Sequence, residues 1–148
     1  MMDLATRDRL YVILRREGRS LFQYLREVPP WVPVNDRDAL VRMRELAGTE
    51  LRVIESLSKM VQRQHGDYGQ LGAFPDFTGY NDAAMHFLLP LTINEQTQLL
   101  AELETDRPYI TEADAGKLLD ELLALKRKHI PELEQLHTTP HSFTTVNV

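Results

Sequence analysis

Four ionisable side chains interrupt the apolar stripes of predicted helices, where burying an unpaired charge is costly. They are one acid on each of three helices and one histidine on the last: Glu17, Glu50, Glu95 and His129. Inward carboxylates and imidazoles on facing helices build the metal centres of helical bundles, and these donors suit iron or manganese. The alternative is that each glutamate lies at the edge of its stripe and reaches water, and that the histidine is a satisfied or surface residue.

The elements that must position these residues are helices, predicted from apolar residues spaced three and four apart. Pro29 ends the first helix, and Pro90 either kinks the third helix or divides it in two. We predict an all-α fold with a bundle over residues 1–137 and a C-terminal tail over residues 138–148. The predicted helices span residues 3–27, 36–65, 81–104 and 111–136.

The link over residues 66–80 distinguishes between two bundle topologies. The second predicted helix is about 42 Å long at 1.5 Å per residue, and an extended link of this size reaches about 50 Å. The link therefore has the length to cross the whole bundle and to start the third helix parallel to the second. This predicts a four-helix bundle of ferritin-like topology, with a long crossover between helices 2 and 3. A plain up-and-down bundle is the alternative.

Composition excludes several classes of protein. A net charge of −5 argues against a nucleic-acid partner, because such proteins present a basic face. The chain has no cysteine, and therefore no disulfide and no thiolate metal site. Its first residues are charged where a secretion signal is apolar, and no apolar run is long enough to cross a membrane. We predict a cytoplasmic protein that binds neither membrane nor nucleic acid.

Several segments carry a resemblance to a known family. Residues 118–133 resemble the last helix of ferritin-like di-iron proteins, in which an inward histidine follows a glutamate by three positions. Residues 21–31, 71–75 and 87–96 are similar to an uncharacterised bacterial branch of that fold. Carried over from the resemblance, the family's six expected metal ligands leave four in this sequence, one on each helix: Glu17, Glu50, Glu95 and His129.

The sequence also departs from that family pattern. The family has Glu-x-x-His on the second and fourth helices, but Val53 follows Glu50 by three residues and cannot ligate. Lys126 precedes His129 by three residues, and its cation would balance the buried acids in place of a metal. We interpret the site as degenerate and expect no cofactor, with iron or manganese as the alternative.

The expected function follows from the degenerate site. We expect a non-catalytic bundle that acts by self-association as a homo-oligomer, or by binding a protein partner through the 66–80 link or the 138–148 tail. The alternative is a metal-dependent oxidase or an iron-handling protein.

Overall fold

The computed structural model describes residues 2–65, 74–81 and 83–138, and in these ranges the chain is helical with no β-strand. The link is therefore described only from residue 74 onward, and the tail from residue 139 onward lies outside the described residues. The all-α prediction is confirmed. The helices are α1 (Leu4–Gly18), α2 (Leu21–Glu27), α3 (Arg37–His65), α4 (Met85–Asp106) and α5 (Ala113–Thr138).

The first predicted helix, over residues 3–27, is divided into α1 and α2, so the described chain has five α-helices rather than four. Arg19 follows the end of α1, and Ser20 is extended and caps α2, its side chain accepting from the Gln23 N–H at 3.2 Å. Ser-x-x-Gln is a helix-start motif. A start signal at Ser20, two residues after Gly18, breaks the helix although the apolar spacing continues across it.

The prolines within the later helices do not divide them. Pro90 lies inside α4 and Pro131 inside α5, and both helices continue through them. Of the two alternatives at Pro90, the division of the helix into two pieces does not occur. Pro90 is exposed, so its ring lies on the solvent side of α4.

Contacts between helices fix their relative directions. In the pair α3 and α5, Arg42 near the start of α3 binds Glu132 near the end of α5. In the pair α4 and α5, Arg127 binds Glu104, and Arg107, just past the end of α4, binds Asp120. Both α3 and α4 therefore run antiparallel to α5, which makes α3 and α4 parallel to each other.

Two apolar clusters fill the interior, one toward each end of the long helices. One cluster includes Leu10, Ile54, Leu103 and Leu122, and the other includes Phe22, Met43, Leu88 and Leu133. On α3, α4 and α5 the polar residues of the central site lie between the stretches that supply these two clusters, and Glu17 lies at the end of α1 between the first cluster and the residues that α2 adds to the second. The fold therefore places one polar layer in an otherwise apolar core.

The end of the 66–80 link is packed against the second cluster. Phe74 and Phe77 contact Tyr24, with ring centroids at 5.4 and 5.2 Å. The Tyr24 hydroxyl contacts the Asn81 side-chain oxygen at 2.5 Å, so α2 and the start of the α4 region are joined. No helix in the described part of the chain is both long enough and apolar enough to cross a membrane.

Candidate functional site

The Lys126 ammonium lies at the centre of the polar layer, with none of its side chain exposed. It pairs with the carboxylates of Glu17 at 2.7 Å and Glu50 at 2.9 Å. It also donates to the side-chain oxygen of Gln96. An ammonium has three N–H donors, so these three acceptors satisfy it. The four side chains come from α5, α1, α3 and α4, and the cluster thus ties together every long helix.

The two carboxylates of the cluster are bonded differently. Glu50 uses both oxygens, because Oε1 accepts from Lys126 and Oε2 lies 2.6 Å from Nδ1 of His129. Glu17 uses Oε1 for Lys126, while its buried Oε2 has no hydrogen-bond partner among the described residues. Since each charged oxygen left without a donor is costly inside a protein, the ionised form is stabilised better at Glu50 than at Glu17.

The pKa values of the three ions follow from this bonding. Burial raises the pKa of Glu17 above its ordinary value, and the charge of Lys126 offsets burial only in part. Burial also acts to raise the pKa of Glu50, but Lys126 and the hydrogen bond with His129 outweigh it, and the pKa is lowered. Burial acts to lower the pKa of Lys126, whereas the charges of Glu17 and Glu50 raise it. Lys126 is therefore held as an ammonium.

Glu95, the third predicted acid, has a different place in the structure. Its carboxylate accepts the backbone N–H of Leu21 at 3.0 Å and that of Phe22 at 3.4 Å, and so caps the start of α2. Burial raises the pKa of Glu95 above its ordinary value, and these two backbone hydrogen bonds offset that effect only in part. The neighbouring Gln96, which sequence reasoning missed, supplies the α4 side chain that contacts Lys126.

A metal ion bridging the central acids does not fit these residues. The Lys126 ammonium occupies the space between Glu17 and Glu50, within 2.9 Å of both carboxylates. Val53 is a buried core residue that offers no donor atom. Within residues 2–65, 74–81 and 83–138, no group of three or more His, Cys, Asp or Glu side chains is arranged to hold a metal. The positive charge that balances Glu17 and Glu50 is therefore the ammonium of Lys126.

The fold and the site define the class of molecule: an all-helical protein whose core is crossed by a buried, lysine-centred ion cluster. No known protein family, curated protein or solved structure matches the chain. The function is therefore argued from the geometry of the chain itself.

Proposed function

We propose that this protein is a metal-free bundle of ferritin-like topology that acts by association and not by catalysis. The observation that carries the proposal is the Lys126 ammonium between Glu17 and Glu50, because it supplies the charge that two metal ions supply in a di-iron centre. Support for the topology comes from the parallel directions of α3 and α4, since parallel neighbours need a connection that runs the length of the bundle.

The association surface that we propose is an apolar end patch. The 28–34 segment, VPPWVPV, contains no charged residue. Trp31 accepts from the Met85 N–H at 2.9 Å through its backbone oxygen, which fixes the segment beside the start of α4. We define the end patch as the five exposed apolar side chains of this segment and of the first turns of α4: Val28, Trp31, Val34, Phe87 and Leu91.

The occupant that we propose for the end patch is a second copy of the chain. Two copies of net charge −5 repel each other at long range, so their contact is favoured where neither carries charge. Trp31 is 60% exposed and Phe87 is 56% exposed, and large aromatic side chains of this kind dominate the energy of interfaces. The patch thus offers apolar anchors without like-charge repulsion.

We expect the wild-type protein to sediment as a dimer at micromolar concentration, and the double variant Trp31→Ser, Phe87→Ser to sediment as a monomer. The matched control is Leu4→Ser, Tyr109→Ser, which removes an equally exposed aliphatic and aromatic pair outside the patch, on α1 and on the link between α4 and α5. Sedimentation velocity over a concentration series measures both. A wild-type protein that stays monomeric, or a control that dissociates as readily as the patch variant, would contradict the proposal.

A further inference from the structure

A groove of about 540 Å³ lies between α1 and α4, and its lining shares no residue with the Lys126 cluster or with the end patch. Its volume falls within the range of about 300–1,000 Å³ that is typical of small-molecule sites. On the α1 side its wall is formed by Val12, Arg15 and Arg16 of the helix and by Arg19 just past its end. Val12 and Arg16, and likewise Arg15 and Arg19, are four residues apart and therefore neighbours on one side of the chain.

The wall of the groove carries more positive than negative charge. Three guanidinium groups line it, against the carboxylates of Glu95 and Glu102. Both acids are already engaged: Glu95 accepts backbone N–H groups of α2, and Glu102 lies 3.1 Å from Nε of Arg16. A second carboxylate, Asp106, binds Arg16 at 2.6 Å and holds its guanidinium against the wall. Arg16 is therefore paired within the wall, and Arg15 and Arg19 supply the remaining positive charge that lines the groove.

The groove also has an apolar surface. Val12 is 52% exposed on the α1 side, and Leu99 is nearly buried on the α4 side. Pro75 and Phe77, at the end of the 66–80 link, add apolar contact. A purely ionic ligand such as free phosphate would leave this surface in water, whereas a ligand with a short hydrocarbon part would cover it.

We propose that this groove binds an amphipathic organic anion, with its headgroup on Arg15 and Arg19 and its apolar part against Val12 and Leu99. Arginine forks match the two oxygens of a carboxylate or a phosphate, so either headgroup satisfies the chemistry. Such a ligand gains from both the charge and the apolar area of the groove. This inference does not depend on the self-association proposed above, because the groove and the end patch use different residues.

The test uses the full chain and isothermal titration with decanoate and with decyl phosphate, below their micelle concentrations. We expect saturable binding of at least one anion, weakened about tenfold or more in Arg15→Glu, because the headgroup loses a charge-assisted hydrogen bond and meets a like charge. Binding of only one anion would identify the headgroup. The matched control, Arg52→Glu on exposed α3 surface, makes the same charge change and should bind as the wild type does.

Two further probes separate the parts of the proposal. Decanol lacks the charge and inorganic phosphate lacks the chain, so both should bind much more weakly than the amphipathic anions. Decanol binding as tightly as decanoate would overturn the role of the arginines, and phosphate binding as tightly as decyl phosphate would overturn the role of the apolar wall. Absence of binding by both amphipathic anions, or equal loss in the two arginine variants, would overturn the site.

Discussion

Lys126→Met should lower the free energy of unfolding by about 3–5 kcal/mol, because removing one partner of a buried ion pair leaves an uncompensated charge in the core. Methionine is unbranched and only one heavy atom shorter than lysine, so a cavity contributes little to the loss. The carboxylates of Glu17 and Glu50 and the amide oxygen of Gln96 would all lose their shared donor. Urea unfolding monitored by far-ultraviolet circular dichroism measures the effect.

Two further variants identify charge as the cause. Lys117→Met removes an exposed lysine from the same helix and should unfold within about 0.5 kcal/mol of wild type. Adding Glu17→Leu and Glu50→Leu to Lys126→Met should recover most of the loss, since replacing a whole buried ion cluster by apolar residues is often neutral. Wild-type stability in Lys126→Met would mean that another cation balances the acids.

Glu50→Gln should be far more destabilising than Glu17→Gln, although the two changes are chemically identical. Glu50 has both oxygens bonded and a lowered pKa, so its loss deprives Lys126 and His129 of a charged partner and should cost about 3–5 kcal/mol. Glu17 has a raised pKa and one oxygen without a partner, and a neutral amide should cost about 1 kcal/mol. Equal losses in paired urea titrations would refute this asymmetry.

The contributions of Glu17 and Glu50 to the free energy of unfolding depend on pH in opposite directions. The pKa of Glu17 is raised above its ordinary value of 4.5, so the native state holds its proton longer than the unfolded state does. The stabilising contribution of Glu17 is complete below pH 4.5, and it is lost as the pH rises through the pKa of the native state. Wild type should therefore lose stability relative to Glu17→Gln as the pH rises from 4.5. Glu50 has a lowered pKa, and its contribution is present above 4.5 and lost at lower pH.

The helical class and the central role of Lys126 were predictable from sequence, because both depend on spacing within one helix. Lys126 precedes His129 by three residues, so the two share a face of α5, and both are buried. The same spacing put Glu17 and Glu50 on the inner faces of their helices, where the structure has them. In these positions the local pattern and the tertiary packing agree.

The choice between Glu95 and Gln96 was not predictable from spacing. The start of α4 is apolar on more than one side, and a stripe through Leu91 selects Glu95, whereas a stripe through Leu88 and Thr92 selects Gln96. In the structure the second stripe faces the core, because Leu88 and Thr92 are fully buried whereas Leu91 is 39% exposed. Consecutive residues of an α-helix are about 100° apart around its axis. Following the wrong stripe therefore selected Glu95 in place of Gln96, which is the α4 residue that contacts Lys126.

The break between α1 and α2 carried a local signal that periodicity concealed. Ser20 and Gln23 form a start motif after Gly18, yet the apolar spacing continues across them. The break is stabilised from another helix, because Glu95 accepts the N–H groups that open α2. This long-range cap depends on the packing of α4 against α2. The sequence of neither segment by itself predicts that packing.

The measurement that tests the account most directly is the metal content of the wild-type protein, purified from cells grown with added iron and manganese. Because Lys126 provides the balancing cation, we predict that mass spectrometry finds iron and manganese far below one atom per chain. We also predict that a chelator leaves the unfolding temperature unchanged. One or two atoms of either metal per chain, with a lower unfolding temperature after chelation, would contradict the lysine-centred cluster.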